Sequence, residues 1–228
     1  MSRQIKLSRI KAWLIDLFFP NRCPICRHII TYDELVCGKC LNKLEKLRAE
    51  DKDIMGKCGN VCRAAVSVYY YEKEAKSGII SLKGENLNFG KHLGKELSRK
   101  IKANEIMKSA DMVTYVPMNR QKKRERGYNQ AEVIAAEISR NTGIPLVSDL
   151  LFKDKSEQQH TLSRKDRMIN VTAFYCNTNK DLSGKRIIIC DDVITTGSTL
   201  GRCTGLLKGM NAAEVYIAAG TTTIFKKE

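Results

Sequence analysis

The pattern of apolar and polar positions divides the chain near residue 64. Beyond that point, short apolar runs alternate with amphipathic segments, which predicts alternating strands and helices and therefore a parallel sheet with helices on its faces. The predicted strands are residues 66–71, 112–116, 145–152, 171–175, 187–190 and 215–219. The predicted helices are residues 75–82, 90–101, 130–140 and 200–210. We therefore expect an α/β domain over residues 65–228, preceded by a small module over residues 1–64.

The first module is rich in cysteine and poor in apolar residues, and six of the nine cysteines lie between positions 23 and 62. Two C-x-x-C pairs have the spacing of knuckles that close a tetrahedral zinc site: Cys23, Cys26, Cys37 and Cys40. A later pair, Cys58 and Cys62, is more widely spaced, which leaves open whether it binds metal. We expect a structural zinc ion to supply much of the folding energy here, since the alternative of isolated buried thiols does not explain the paired spacing. A helix over residues 41–50 is predicted to follow the second knuckle.

The N-terminal residues combine basic side chains with an apolar run at 12–19. This run is too short to span a bilayer, contains Asp16 and ends at Pro20 without a small-residue cleavage site, so we expect neither a transmembrane segment nor a cleavable signal. We predict a helix over residues 2–19 that packs on the protein, with contact to a membrane surface as the alternative. Without a signal for an oxidising compartment, the cysteines favour metal over disulfides, and we expect a cytoplasmic protein.

The strand at 187–190 leads into the most informative stretch of the chain. Asp191 and Asp192 end the apolar run, and after Val193 and Ile194 come five small residues at 195–199, four of them hydroxyl-bearing, before a predicted helix. Free N–H groups and hydroxyls at a helix N-terminus suit a phosphate. The alternative is an ordinary strand-to-helix turn rich in N-capping residues.

Two carboxylates beside a phosphate site need a further explanation, because they repel phosphate. They suit a ligand that carries sugar hydroxyls and a divalent cation next to its phosphate, and phosphoribosyl pyrophosphate (PRPP) with Mg²⁺ has this combination. Neither a Walker motif nor G-x-G-x-x-G occurs in the chain.

Two polar segments flank predicted strands and add candidate residues. Residues 119–126 contain five basic side chains and one acidic one, and as a loop after a strand they would deliver cations to a pyrophosphate. Residues 153–170 have almost no apolar residue and are long for a passive connection, which is typical of an active-site lid. We interpret Lys83, before Gly84, as a cation at a helix C-terminus. The net charge of +15 attracts polyanions without choosing among them.

The stretch 187–199 resembles the PRPP-binding signature of type I phosphoribosyltransferases. Further motifs follow one another in an order that resembles the ComF family, also called ComFC or GntX-like, of competence-associated phosphoribosyltransferase-like proteins. These motifs are L-F-F-P-x-x-C-x-x-C, a second C-x-x-C, L-K-G at 82–84, R-x-R-G-Y-N-Q at 124–130, Q-x-x-L-x-x-x-x-R-x-x-N at 159–170 and the PRPP signature. Thr195 stands where salvage enzymes for 6-oxopurines usually carry aspartate, which argues against that substrate class.

The resemblance implies a type I phosphoribosyltransferase-like parallel sheet with an N-terminal zinc module, and it implies roles for individual residues. Asp191 and Asp192 would be the catalytic pair that holds the ribose, with Mg²⁺ accompanying PRPP. The rest of the PRPP site would be Val193, Ile194, Thr195, Thr196, Gly197, Ser198 and Thr199. The pyrophosphate and flexible-loop residues would be Arg124, Arg126, Gly127, Gln159, Arg164 and Arg167.

The resemblance also implies a link to DNA uptake and natural transformation, together with a competence helicase and single-strand-handling proteins. The leading hypothesis is a phosphoribosyltransferase that takes PRPP or a nucleotide 5-phosphate, with an acceptor that the motifs do not identify. The alternative is a non-catalytic competence factor that binds single-stranded DNA and retains a PRPP site. Its supports are the basic segment at 120–126 and the tyrosines on which bases would stack, Tyr69, Tyr70, Tyr71 and Tyr128, although tyrosines in a strand are more often core residues.

Overall fold

A computed structural model describes residues 20–84, 86–155, 172–177 and 180–224. The predicted helix at 2–19 lies outside the described residues. So do three of the expected flexible-loop residues, Gln159, Arg164 and Arg167. Among the helices that the structure describes, none is both long and apolar enough to cross a lipid bilayer.

The centre of the fold is a four-stranded sheet whose strands are all parallel. Its order is β1 (Ala64–Tyr70), β6 (Glu214–Thr222), β5 (Arg186–Ile194) and β2 (Met112–Tyr115). In β5, Ile188 packs in one hydrophobic cluster and Ile187 and Ile189 in the other, so the strand is buried on both faces. The prediction of a parallel sheet is thus confirmed.

Strand β5 is longer than its apolar run predicts. It passes through Asp191 and Asp192 and ends at Ile194, which pairs with Thr222 of β6. Backbone pairing with β6 therefore holds the acidic residues in extended conformation, although neither has strand propensity. The carboxylates lie on the strand itself and not in the loop after it.

Helices cover both faces of the sheet. They are α1 (Gly38–Glu45), α2 (Asp51–Cys58), α3 (Lys73–Lys83), α4 (Asn88–Ala103), α5 (Arg120–Arg126), α6 (Gln130–Thr142) and α7 (Ser198–Gly209). Helices α3, α4 and α6 contribute Leu82, Leu93 and Ile134 to the cluster around Ile188. Helix α7 contributes Leu200 and other residues to the opposite cluster. Two helices differ from prediction, since α5 replaces the expected basic loop and α1 ends five residues early.

The early end of α1 follows from pairing between the N-terminal segment and the sheet. After Glu45 the chain runs beside β1, where Tyr70 N donates to Leu47 O at 2.8 Å and Ala49 N donates to Val68 O at 3.0 Å. These bonds satisfy the backbone in an extended form, so the helix predicted over 41–50 stops and α2 begins at Asp51.

A second, smaller sheet consists of β3 (Leu151–Lys155) and β4 (Thr172–Cys176), which pair antiparallel. The strand predicted over 145–152 is therefore displaced. Its first residues make only a short contact with β2, in which Val147 N donates to Val113 O at 2.8 Å. The chain then turns near Ser148, and β3 begins at Leu151.

Candidate active site

A cavity of about 720 Å³ lies at the carboxyl ends of β2 and β5. This is where ligands bind in open parallel sheets, because the strand ends and the loops that follow them leave a crevice there. Its basic lining residues are Lys83, Lys122, Arg126 and Lys153, and its acidic ones are Glu125, Asp191 and Asp192. Such a mixture suits a ligand that carries both anionic groups and groups that need a carboxylate.

The two aspartates sit side by side at the floor of this cavity. Asp192 N donates to Asp191 Oδ1 at 2.8 Å. Burial and the charge of Asp192 raise the pKa of the Asp191 carboxyl well above its ordinary value. Lys153 and Lys83, whose Nζ lies 3.8 Å from Asp192 Oδ2, offset part of the repulsion between the two carboxylates, and a bound cation or hydroxyl donors would relieve more of it.

The segment at 126–130 ties three parts of the site together. Asn129 Nδ2 donates to Val116 O at 2.9 Å, which fixes the end of β2. The Tyr128 hydroxyl donates to Leu82 O at 2.6 Å and also contacts the Gly84 carbonyl, which fixes the end of α3 and hence Lys83. Arg126 Nη1 donates to Gln130 Oε1 at 2.8 Å. The motif therefore brings Lys83 and Arg126 to the same cavity.

Two buried polar atoms in the cavity lining have no hydrogen-bond partner among the described residues. They are the acceptor Asp192 Oδ2 and the donor Gln130 Nε2. Gln130 is only 2% exposed, and Lys83 Nζ lies 3.8 Å from Asp192 Oδ2, beyond hydrogen-bond distance. Buried polar atoms are rarely left unpaired, so these two mark a place where a ligand would complete the bonding.

The hydroxyl-rich loop at 195–199 leads from β5 into α7. Gly197 is the N-cap of α7 with φ +78°, and no side chain caps the helix at this residue. Thr196 and Ser198 are exposed, and their hydroxyl oxygens lie 3.1 Å apart. Ser198 N, the first N–H group of α7, donates to Thr196 Oγ1 at a long 3.5 Å, so the start of the helix carries a weakly bonded N–H group with hydroxyls beside it, an arrangement that can receive a phosphate.

Gly197 has a structural role that the sequence did not indicate. A Cβ atom at this position would lie 2.7 Å from the carbonyl oxygen of Lys57, which belongs to α2 of the N-terminal segment. The positive φ is also unfavourable for residues with a side chain. Glycine is therefore required here for contact with α2 and for the turn.

The four clustered cysteines form a second site, away from the cavity. The Sγ atoms of Cys23, Cys26, Cys37 and Cys40 all lie within 4.8 Å of one another, and those of Cys26 and Cys37 are 3.6 Å apart. Zinc–sulfur bonds of about 2.3 Å place tetrahedral ligands about 3.8 Å apart, so the four thiols fit a zinc ion.

The local structure around each cysteine pair explains this arrangement. The first pair lies in a tight hairpin in which Cys23 N donates to His28 O at 2.8 Å. In the second pair, Cys37 is the N-cap of α1 and Cys40 lies in the first turn of that helix. Cys58 and Cys62 do not join the cluster, because both are buried in the hydrophobic cluster around Ile187.

Two family models match the chain in the regions where these sites lie. The phosphoribosyl transferase domain matches residues 125–222, and the double zinc ribbon domain matches residues 14–67. Over 209 residues the chain is 26% identical to competence protein ComFC of Bacillus subtilis, covering 80% of this chain and 82% of that protein. The zinc ribbon precedes the transferase domain, as the predicted order of motifs requires, and the match to ComFC extends into both. The chain is therefore similar to ComF-family proteins over most of its length.

Other relatives agree with this similarity. Competence protein F of Haemophilus influenzae is 33% identical over 122 residues, which cover 52% of this chain and 53% of that protein, so the chain spans about half of its length. The DNA utilization protein YhgH of Escherichia coli is 25% identical over 203 residues, covering 86% of this chain and 81% of that protein.

Solved structures with partial likeness include a glutamine PRPP amidotransferase from B. subtilis and a purine phosphoribosyltransferase from Pyrococcus horikoshii. The first has a TM-score of 0.41 and 23% identity, covering 65% of this chain and 28% of that chain. The second has a TM-score of 0.37 and 22% identity, covering 61% and 83%. The similarity to ComF-family proteins does not depend on them.

The structure gathers some of the residues that the ComF motifs indicate and leaves others apart. Asp191, Asp192 and Arg126 line the cavity, whereas Arg124 is exposed on α5 and Gly127 ends that helix with φ +83°. The loop at 195–199 lies beyond the cavity lining, next along the chain from the aspartates. The roles of Arg124, Gly127 and the loop at 195–199 in binding PRPP stay predictions.

Sequence reasoning missed several lining residues. Lys83 was interpreted as a helix-end cation, yet it faces Asp192 across the cavity. Lys122 belongs to the basic segment at 119–126 and Lys153 begins the segment at 153–170, but neither was given an individual role, and both line the cavity. The signal for Lys83 was present in the L-K-G motif, but Lys153 reaches the site only through the position of β3, which no local pattern indicated.

Proposed function

We propose that this ComF-like protein binds PRPP with Mg²⁺ at the cavity and the adjoining loop, and acts as a phosphoribosyltransferase-like protein in DNA uptake. Asp191 and Asp192 accept hydrogen bonds from the ribose hydroxyls. The loop at 195–199 binds the 5-phosphate, and Lys83 and Arg126 face the pyrophosphate. The link to DNA rests on relatives whose names refer to competence and to DNA utilization.

The observation that carries the proposal is the pair of unpartnered polar atoms in one cavity. Asp192 Oδ2 lacks a donor and Gln130 Nε2 lacks an acceptor among the described residues, and basic side chains surround both. A sugar hydroxyl supplies the missing donor, and a pyrophosphate oxygen supplies the missing acceptor. An ordinary strand-to-helix turn does not explain why these two buried atoms in one cavity lack hydrogen-bond partners within the described part of the chain, with Lys83 Nζ at ion-pair distance, 3.8 Å, from Asp192 Oδ2.

The chemistry expected at this site rests on charge and position. Mg²⁺, when bound with PRPP, neutralises charge on the pyrophosphate. As the bond between the anomeric carbon and the pyrophosphate breaks, positive charge builds on the sugar, and the acceptor forms the new bond to that carbon. The carboxyl groups of Asp191 and Asp192 would stabilise the sugar, while Lys83 and Arg126 would stabilise the leaving group. No protein nucleophile is needed for this step.

Structural zinc completes the proposal. We assign Cys23, Cys26, Cys37 and Cys40 as its ligands, because their sulfur atoms fit a tetrahedral site and the double zinc ribbon match spans all four. Cys58 and Cys62 are left out, because they pack in the core.

Replacement of both aspartates by asparagine is the direct test of the ribose site. Each charge-assisted hydrogen bond is worth roughly 1.5–3 kcal/mol, so the double variant should bind PRPP on the order of a hundredfold more weakly. Asp149→Asn is the control, since Asp149 is half exposed and pairs with Lys180 outside this cavity. Equal affinity of the double variant and the wild type would remove the pair from the site.

A pyrophosphate-release assay separates catalysis from binding alone. The wild type would be incubated with PRPP, Mg²⁺ and a panel of nucleobases, nucleosides and DNA. Release with one acceptor, and its loss in the double variant, supports a transferase. PRPP binding without release from any acceptor would contradict the enzyme and favour a regulatory PRPP site.

Binding of single-stranded DNA is a second candidate, supported by helix α5. This helix carries its basic residues on the surface, with no buried side chain. The tyrosines support it less, since Tyr69 is fully buried and Tyr70 donates to Asp53. Affinity for single-stranded DNA measured against salt tests it, because several phosphate contacts give a steep log–log slope. A flat slope would contradict it.

A further inference from the structure

Lys57 of α2 reaches from the N-terminal segment to the end of the sheet beside the hydroxyl loop. Its Nζ donates to Thr222 Oγ1 at 2.9 Å and to Thr223 Oγ1 at 2.6 Å, and it also contacts the Thr223 carbonyl. All three acceptors lie at the end of β6 or just after it. A single side chain thus joins the cysteine-rich segment to the strand that pairs with β5.

The same threonines bond to the start of the loop. Thr223 Oγ1 donates to Thr195 O at 3.3 Å, and Thr223 N donates to Ile194 O at 3.2 Å. On the other side, the backbone carbonyl of Lys57 lies so close to Gly197 that a Cβ there would approach it to 2.7 Å. The backbone and the side chain of Lys57 therefore hold the loop at two points, Gly197 directly and Thr195 through Thr223.

The charge of Lys57 is not neutralised by its hydrogen-bond acceptors, because all three are neutral oxygen atoms. Asp53, one turn earlier on α2, accepts a hydrogen bond from the Tyr70 hydroxyl. Burial lowers the pKa of the Lys57 ammonium, and the negative charge of Asp53, which raises that pKa, offsets the effect of burial only in part. The positive charge of Lys57 at this place therefore costs free energy. An anion bound on the loop would offset that cost.

We propose that Lys57 is a positioning residue for the phosphate loop, through which the N-terminal segment sets the affinity for the 5-phosphate end of the ligand. This inference rests on the proposed function of the loop. It assigns to α2 a role in ligand binding that lies outside the phosphoribosyl transferase domain match. Lys57 does not touch the reacting atoms and acts through Thr195 and Gly197.

The test compares two partial ligands on the full-length, zinc-containing protein. Ribose 5-phosphate probes the loop, and pyrophosphate with Mg²⁺ probes the Lys83 end of the cavity. Lys57→Met should weaken ribose 5-phosphate binding about tenfold, because charge-assisted hydrogen bonds are lost, and should change pyrophosphate affinity by less than about twofold. Lys52→Met is the matched control, since Lys52 lies on the same helix with its side chain 74% exposed.

A double-mutant cycle with Thr223→Val tests the route to the loop. If Lys57 acts through Thr223, the double variant should bind ribose 5-phosphate little worse than Lys57→Met alone. Hydrogen exchange at 194–199 in the ligand-free protein should also rise in Lys57→Met. Two results would overturn the role of Lys57: an unchanged affinity of Lys57→Met for ribose 5-phosphate, or an equal loss of affinity for ribose 5-phosphate and for pyrophosphate. If the wild type bound pyrophosphate but not ribose 5-phosphate, the proposed loop function would fail, and the role of Lys57 with it.

Discussion

Removal of the Asp191 charge should stabilise the ligand-free protein while it weakens ligand binding. Asp191 shares its place with Asp192, and burial together with that neighbouring charge raises the pKa of Asp191 well above its ordinary value. In Asp191→Asn the partly buried charge and its repulsion from Asp192 disappear at almost constant volume. Sites that hold strained charges for a ligand commonly show this opposition between stability and function.

The sign and size of the effect follow from linkage. A carboxyl whose pKa is raised on folding stabilises the native state below its unfolded pKa of about 4, and that contribution is lost as the pH rises through the folded pKa. Each unit by which folding raises the pKa corresponds to about 1.4 kcal/mol of stability, or about 3 °C in the Tm of a chain of this size. The advantage of Asp191→Asn should therefore be largest near pH 8 and should vanish towards pH 4.

Thermal unfolding of the ligand-free wild type and variant from pH 4 to pH 8 measures this difference. Glu105→Gln is the control, because the Glu105 side chain is 82% exposed and pairs only with Lys108 among the described residues, so its effect should be small at every pH. A variant that is less stable than the wild type at pH 8, or a Tm difference that does not change with pH, would refute the idea that the fold holds Asp191 at an electrostatic cost.

Three other predictions concern separate parts of the molecule. Gly197→Ala should lower the Tm by several degrees and weaken ribose 5-phosphate binding, because of its φ of +78° and the 2.7 Å approach to Lys57 O, whereas Gly201→Ala, which meets nothing within 4 Å, should do neither. The purified protein should contain about one zinc per chain by elemental analysis, and chelation should lower the Tm; a metal-free but equally stable protein would contradict the zinc site. Hydrogen bonds from Arg186 lower the pKa of Asp111 to about 2, so the stability lost in Asp111→Asn should be present above pH 4 and should disappear as the pH falls to 2; a loss that persists at pH 2 would contradict it.

Local patterns in the sequence predicted the elements of the sheet well. The run 187–190 is apolar and β-branched, and it forms the middle of a strand that is buried on both faces. The spacing of the cysteine pairs predicted four sulfur atoms that the structure brings together. In both cases the information lies within a few residues, so no knowledge of tertiary contacts was needed.

Features set by distant partners could not be predicted in the same way. The helix at 41–50 breaks because Leu47 and Ala49 pair with β1. Helix α5 differs, because its N-cap Asn119 accepts from Gln121 N at 2.9 Å and is a local signal that the prediction of a basic loop overlooked. The sequence predicted Lys83 only as a cation at a helix C-terminus. The hydrogen bond from the Tyr128 hydroxyl to Leu82 O, which fixes that helix end beside the cavity, joins residues far apart in the chain. The contact between Lys57 and Gly197 joins residues 140 positions apart. A glycine in the loop could be recognised from the sequence, but the residue that packs against it could not.

Calorimetric titration of the zinc-containing wild type with PRPP, with and without Mg²⁺, tests the central claim most directly. We predict saturable binding of one PRPP per chain, tighter with Mg²⁺, and a loss of affinity on the order of a hundredfold in the Asp191→Asn, Asp192→Asn double variant. Absence of PRPP binding by a folded wild-type protein with Mg²⁺, or binding that the double variant retains in full, would contradict a phosphoribosyl site at the ends of β2 and β5.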